Sequence, residues 1–220
     1  KLLDEGLDLY VIDWGYPTRA DRYLTLDDYI EEYIDDCVEF VRQSTGSGKV
    51  TLMGICQGGT FSLCYSAMHP DKVNALVTMV TPVDFKTPDN MLSHWVQNID
   101  VDLLVDTQGN IPGEMLNWTF LNLKPYRLIG QKYIDMIDVL DNPKQINNFL
   151  RMEKWIFDSP DQAGEAWREF DLAAGQRGEQ VARAGRVDHH IDRFGVDHVH
   201  LAVVQDHVLG RDAMADDFVG

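Results

Sequence analysis

The sequence predicts an α/β fold built on a mostly parallel sheet, and three apolar segments near the start of the chain are the main indication. Residues 7–14, 49–55 and 73–81 are rich in Val, Leu, Ile and aromatic side chains, and turn residues follow each of them. Helical patterns separate the three segments. Strands that alternate with helices pair in parallel, and such sheets carry their functional sites at the carboxyl ends of the strands.

The first two predicted elements are a strand and an acidic helix. The strand over 7–14 ends at the turn Gly15-Tyr16-Pro17, and Thr25 can cap the helix that follows. Cys37 falls on the apolar side of this helix and is expected to pack in the core. The other side is interpreted as a solvated face, with a partner surface as the alternative. Its acidic residues are Asp27, Asp28, Glu31, Glu32, Asp35, Asp36 and Glu39.

The second predicted strand runs directly into a glycine-rich turn around Cys56. The spacing Gly54-x-Cys56-x-Gly58, followed by Gly59, is the nucleophile-elbow pattern of α/β-hydrolase folds, with sulfur as the nucleophile. Gly54 and Gly58 lack the Cβ atoms that would collide where strand and helix approach each other. The next helix, predicted over 60–69, directs its N-terminal dipole at Cys56 and favours the thiolate. We predict that Cys56 is a nucleophile; a structural cysteine beside the turn is the alternative.

Residues 86–170 read as helical, with several prolines and four of the five tryptophans. A helical insertion after a core strand is typical of a cap over an active site, and a plain helical subdomain is the alternative. The sequence is therefore divided into an α/β-hydrolase core (1–85), a helical cap (86–170) and a divergent return to the core (171–220).

The last stretch, 171–220, contains no Lys, Ser, Thr, Pro or Trp. One pattern in it predicts structure, because His200–Gln205 is an apolar strand that leads into Asp206-His207. His198 and His200 are close in sequence, but no cysteine accompanies them, so we predict no metal site and no cofactor. The chain has no initiator methionine, and we expect a fragment truncated at both ends.

Composition argues against several classes of function. The net charge of −17 disfavours binding to nucleic acids or anionic lipid surfaces, because both require basic patches. No apolar run is long enough for a membrane-spanning helix. Three scattered cysteines are too few for a disulfide framework, and they indicate a reducing, cytoplasmic setting.

Several segments together resemble polyhydroxyalkanoate (poly-3-hydroxybutyrate) synthases, and over residues 7–170 the likeness is to the catalytic subunit of the class III, two-subunit enzymes. These segments are Val11-Ile12-Asp13-Trp14-Gly15-Tyr16-Pro17, the box at 54–59, Val80-Thr81-Pro82-Val83-Asp84-Phe85, Asn110-Ile111-Pro112-Gly113, Asn117-Trp118-Thr119-Phe120 and Phe149-Leu150-Arg151-Met152-Glu153-Lys154-Trp155. The implied fold is a partial α/β-hydrolase fold, with a mostly parallel sheet and a helical cap insertion.

The resemblance implies an acyltransferase that polymerises (3R)-hydroxyacyl-CoA, such as 3-hydroxybutyryl-CoA, into polyhydroxyalkanoate and releases CoA. Cys56 would carry the acyl group as a thioester. The oxyanion hole would use the backbone N–H of Gln57 and a donor from a loop that, in the family, precedes residue 1. The implied partners are the growing polyester chain, a second synthase subunit, further copies of the chain and the surface of a cytoplasmic polymer granule.

The family's catalytic triad also needs an aspartate and a histidine. Its aspartate lies in an Asp-His-Leu-Val-Pro-Pro motif, which Asp206-His207-Val208-Leu209 matches in part, without the prolines. The resemblance therefore implies Asp206 as the triad aspartate and His207 as its neighbour only. The family's base lies in a later Gly-Gly-His-Ile-Gly motif, and the resemblance therefore implies that the catalytic histidine is absent from this sequence.

Two other functions stay open. The elbow by itself fits equally a cysteine-dependent α/β-hydrolase of the dienelactone-hydrolase kind, which would act on esters or thioesters, although the cap segments favour the synthase. Without the base and the second oxyanion donor, the chain could also be an inactive module that binds acyl groups or a partner.

Overall fold

A computed structural model gives the fold and describes residues 2–83, 91–96, 98–176 and 200–205. Four strands form its sheet: β1 (Asp8–Val11), β2 (Val50–Ile55), β3 (Val73–Met79) and β4 (His200–Gln205). Their spatial order is β1-β4-β2-β3, and every neighbouring pair is parallel. The predicted α/β fold with a parallel sheet is confirmed, and so is the strand predicted over 200–205.

The helices alternate with the first three strands and then dominate the chain up to residue 176. They are α1 (Asp35–Thr45), α2 (Gln57–Met68), α3 (Met91–Val96), α4 (Val101–Gln108), α5 (Gly113–Leu121), α6 (Lys132–Ile137), α7 (Pro143–Phe157) and α8 (Gly164–Gln176). π-Helical segments at Asp28–Ile34 and Tyr126–Gln131 lead into α1 and α6, and Leu3–Glu5 and Asp21–Tyr23 are short 3-10 turns.

The chain forms two compact units. The sheet unit contains the described residues of Lys1–Trp14, Leu24–Ile99 and Arg168–Val208, and the helical unit contains those of Gly15–Tyr23 and Asp100–Trp167. The stretch Gly15–Tyr23, after β1, thus belongs to the helical unit. The Asn110 side chain explains this, because its Nδ2 donates a hydrogen bond to the Thr18 carbonyl at 2.7 Å.

Thr25 begins the first long helix of the sheet unit, as the sequence predicts. The Thr25 N–H donates to Asp28 Oδ2 at 2.6 Å, and the Asp28 N–H donates to Thr25 Oγ1 at 3.3 Å. This reciprocal pair is a capping box, which satisfies backbone donors that the first turn of a helix leaves without partners.

The acidic side of this helix is predicted to be a solvated face, but two of its carboxylates, Asp35 and Glu39, bind side chains of other elements. Asp35 accepts hydrogen bonds from Tyr65 Oη and Lys72 Nζ, both at 2.6 Å, and Lys72 also pairs with Glu39 at 3.0 Å. Burial raises the pKa of Asp35, but the hydrogen bonds from Lys72 and Tyr65 outweigh it and hold that pKa below its usual range. These four residues, called the Asp35 network below, join α1 to the end of α2 and to the start of β3.

The hydrophobic core of the sheet unit involves the first long helix, β2 and α2. Its buried members are Ile12, Ile30, Ile34, Val38, Val41, Val50, Leu52, Phe61 and Tyr65. Cys37 packs against this core, as predicted, and so does Cys64. Burial raises the pKa of both thiols, which keeps them protonated, and Asp36 adds to the effect at Cys37. Among the helices of the described residues, none is long and apolar enough to cross a membrane.

Candidate active site

Cys56 stands at the corner between β2 and α2. Strand β2 ends at Ile55 and helix α2 begins at Gln57, so a single residue makes the turn. Its backbone has φ 54° and ψ −124°, and such a sparsely populated conformation costs about 1–3 kcal/mol. The Cys56 side chain is exposed and makes no capping hydrogen bond to the helix. This is the geometry of a nucleophile elbow, which presents its reactive atom above the sheet.

Two glycines allow the helix to start so close to the strand. A Cβ atom on Gly54 would lie 2.5 Å from the Gly58 carbonyl oxygen and 2.5 Å from Gly59 Cα. A Cβ atom on Gly59 would lie 1.9 Å from Thr81 Oγ1. Gly58 is buried, and its carbonyl is the group that Gly54 faces. The helix therefore includes both later glycines, and the predicted start at residue 60 is three residues late.

Backbone hydrogen bonds fix the corner to its neighbours on both sides. The Cys56 N–H donates to the Met79 carbonyl of β3 at 2.9 Å. The Gly59 and Thr60 N–H groups donate to the Cys56 carbonyl at 2.9 and 3.3 Å. Gln57, for which the sequence analysis predicts an oxyanion-binding N–H, is the first residue of α2. A donor at this position lies directly beside the nucleophile, where acyl-transfer enzymes bind a developing oxyanion.

The turn after β3 contacts the elbow through Thr81 and Pro82, for which the sequence predicts no role. Thr60 Oγ1 donates to the Pro82 carbonyl at 2.8 Å, and the Thr81 side chain packs against Gly59. The strand predicted to reach Thr81 ends at Met79, because Val80 adopts φ 46°. The sequence marks this turn only through the segment Val80–Phe85, which carries the family resemblance. That segment does not indicate the contacts with α2.

Asp206 and His207 lie outside the described residues, and so does His198. Strand β4 is described up to Gln205, which is paired with Ile55 of β2. Within the residues that the structure describes, no group of three or more His, Cys, Asp or Glu side chains could hold a metal ion.

The chain belongs to the α/β-hydrolase family, since the sequence profile described as "alpha/beta hydrolase fold" matches residues 1–180. It is 71% identical over 169 residues to the poly(3-hydroxyalkanoate) polymerase subunit PhaC of Allochromatium vinosum, with 77% of this chain and 48% of that protein covered. Proteins of the same name from Thiocystis violacea and a Synechocystis strain are 57% identical over 215 residues and 54% identical over 176 residues. These matches confirm the resemblance to polyhydroxyalkanoate synthases.

The matches differ in extent. The Thiocystis match covers 96% of this chain and 61% of that protein, and the Synechocystis match covers 77% and 47%. The chain therefore spans about half to three-fifths of the length of these curated relatives. Because the Thiocystis match omits only 4% of the chain, most of residues 171–220 fall within it.

Proposed function

We propose that this chain is the catalytic part of an acyltransferase that polymerises (3R)-hydroxyacyl-CoA, with 3-hydroxybutyryl-CoA as a short-chain monomer, into polyhydroxyalkanoate. The observation that carries the proposal is Cys56, an exposed cysteine in strained geometry at a strand-to-helix corner. The name of the relative that shares 71% identity describes a poly(3-hydroxyalkanoate) polymerase subunit. A thiol nucleophile suits this reaction, because exchange between two thioesters is nearly isoenergetic.

In the first step, the Cys56 thiolate attacks the thioester carbonyl of the hydroxyacyl-CoA. A carbon–sulfur bond to Cys56 forms, the carbon–sulfur bond to CoA breaks, and the CoA thiolate leaves and takes up a proton. In the second step, the hydroxyl oxygen of a hydroxyacyl unit or a growing chain attacks the acyl-enzyme carbonyl. A carbon–oxygen ester bond forms, the bond to Cys56 breaks, and the hydroxyl proton is removed by a base.

Both steps develop negative charge on a carbonyl oxygen, and we assign its stabilisation in part to the Gln57 N–H. The position of Gln57 at the first residue of α2 supports this role, since helix N-termini favour anions. Asp206 is proposed as the triad aspartate. The sequence position supports it, because Asp206 directly follows Gln205 in the chain, and Gln205 pairs with Ile55, the residue directly before Cys56. The catalytic histidine is proposed to lie outside this chain, and none of its own histidines takes the role of base.

We further propose that the helical segment 86–170 acts as a cap in the complete protein. Its described residues are mainly helical, and their exposed aromatic side chains include Trp118, Phe120 and Tyr126. The proposed partners are the growing polyester, a second synthase subunit, further copies of the chain and the surface of a cytoplasmic polymer granule. The relatives' names support a second subunit, because each is called a polymerase subunit.

The proposal is tested with the full-length protein that contains this chain, incubated with (3R)-3-hydroxybutyryl-CoA. We expect thiol release together with insoluble polymer, and we expect Cys56→Ser to abolish both. Cys64→Ser is the matched control, because Cys64 lies on α2, the helix that directly follows Cys56, and its thiol is partly buried; it should keep activity. Release of free hydroxyacid in place of polymer would identify a hydrolase, and binding without release would identify an inactive module. Full activity in Cys56→Ser would overturn the nucleophile assignment.

A further inference from the structure

Backbone strain in the described residues occurs at two adjacent positions. Cys56 and Val80 are the non-glycine residues there with positive φ, at 54° and 46°. Each directly follows a strand, and the register pairs the last residues of these two neighbouring strands, Ile55 and Met79. A β-branched residue in this region is a conformational outlier, and such outliers persist only where the surroundings determine them.

The surroundings of Val80 are rigid. The preceding carbonyl, of Met79, accepts the Cys56 N–H at 2.9 Å, and the carbonyl of Pro82 accepts from Thr60 Oγ1 at 2.8 Å. Between them, Thr81 packs so closely on Gly59 that a Cβ atom there would lie 1.9 Å from its hydroxyl. These contacts fix the turn from Met79 to Pro82 against the first turn of α2. They can maintain the strained conformation of Val80.

Stability does not explain a valine at this position. Glycine adopts positive φ without steric cost, and asparagine or aspartate tolerates it better than valine. The Val80 side chain is 81% exposed, so it contributes little burial to offset the strain. What its branched side chain does add is exposed apolar bulk directly after β3, next to Met79, whose carbonyl accepts the Cys56 N–H.

We propose that Val80 is a specificity-determining residue, whose branched side chain borders the acyl group on Cys56 and limits the length of the substituent at its third carbon. This inference rests on the proposed acyltransferase function and deepens it. A methylene group accepted or refused by an apolar surface changes selectivity by about tenfold or more. Shortening Val80 should therefore favour longer hydroxyacyl groups relative to shorter ones.

The test measures kcat/KM of the full-length protein by CoA release with two substrates, (3R)-3-hydroxybutyryl-CoA and (3R)-3-hydroxyhexanoyl-CoA. In Val80→Ala, the ratio of the longer to the shorter substrate should rise about tenfold. Val80→Thr keeps the branched shape and should keep the wild-type ratio within about twofold. Val77→Ala is the matched control, because Val77 is also on β3 and 44% exposed; it should leave the ratio unchanged.

An unchanged ratio in Val80→Ala would overturn the inference. This includes an equal fall of kcat/KM for both substrates, which is the signature of a residue that only positions the elbow. If Val80→Ala does not fold, Val80→Gly carries the same test, since glycine relieves the strain. A failure of the proposed function is distinguishable, because the wild-type protein would then release no CoA from either substrate, or Cys56→Ser would stay active. Both of these results would also overturn the inference.

Discussion

The two ends of helix α2 are held in different ways. At its start, the strained backbone of Cys56 and the close approach of Gly54 to Gly58 set the geometry, and the Cys56 side chain makes no capping hydrogen bond. At its end, the buried Tyr65 donates to Asp35 within the Asp35 network. His69, directly after the helix, pairs with Glu31 at 2.8 Å.

This difference shows how one helix can serve both reactivity and stability. The starting end costs free energy, because strain at Cys56 is not offset by a capping bond of its own side chain. The far end supplies polar contacts that join α2 to the preceding long helix. Removing the Cys56 side chain should therefore affect activity, whereas removing a side-chain contact of the Asp35 network should affect stability.

The largest expected effect is on activity at the starting end. Cys56→Ala should lower kcat for CoA release by about four orders of magnitude or more, because the covalent step is lost. Its melting temperature should change little, because the residue is exposed. Tyr65→Phe, at the far end, should keep kcat and lose about 1–2 kcal/mol of unfolding free energy, since its bond to Asp35 involves a charged group. A large fall of kcat in Tyr65→Phe would break the comparison.

Gly54→Ala should give the largest loss of stability. The added Cβ would meet backbone atoms of Gly58 and Gly59 at 2.5 Å, and these atoms cannot rotate away. We expect a loss of about 3 kcal/mol or more, measured by denaturant unfolding. Gly48→Ala is the control, because its Cβ would meet nothing within 4 Å. Equal stabilities of the two variants would show that the elbow is not tightly packed.

The far end should show a defined pH dependence. Asp35→Asn should cost about 1–2 kcal/mol near neutral pH, whereas exposed Asp36→Asn should stay within about 0.5 kcal/mol of wild type. The pKa of Asp35 is lowered in the fold, so its contribution is complete above the unfolded value of roughly 3.9 and is lost as the pH falls through the lower folded value.

Lys72, the partner of Asp35, sets the upper pH limit of the stability that this pair contributes. The hydrogen bond to Asp35 raises the pKa of Lys72, so its contribution is lost only as the pH rises above roughly 10.4. Unfolding free energies of wild type and Asp35→Asn should therefore differ between about pH 4 and pH 10 and converge in acid. A difference that grows in acid would contradict the assignment.

The smallest expected effect concerns the contact between the elbow helix and the turn after β3. Thr60→Val removes the hydrogen bond to the Pro82 carbonyl and keeps the side-chain shape. We expect a loss of about 1 kcal/mol. Thr107→Val is the control at an exposed helix position, where the hydroxyl bonds only to its own helix. A larger loss in the control would show that the Thr60 contact adds nothing to the elbow.

The alternation of apolar strands and helices was readable from the sequence, because β-branched runs and helical periodicity are local signals. The early start of α2 was not readable, since glycines are poor helix formers and the close contacts of Gly58 and Gly59 with Gly54 and Thr81 appear only in the folded chain. The pairing of Asp35 with Lys72 joins residues 37 positions apart, which no periodicity reveals. The conformation of Val80 likewise depends on contacts with the elbow helix. The role predicted for Asp206 stays a prediction.

Strand β3 has a consequence for handling this chain by itself. It has a paired neighbour on one side only in the described sheet, and Val77 and Met79 on it are 44% and 47% exposed. An apolar strand with an open edge is a template on which a second chain can add its own strand. The net charge of −17 opposes such encounters, but 0.1 M salt reduces the range of the repulsion to about 10 Å. Self-association of the isolated chain should therefore increase with ionic strength, and light scattering across a salt series would measure it.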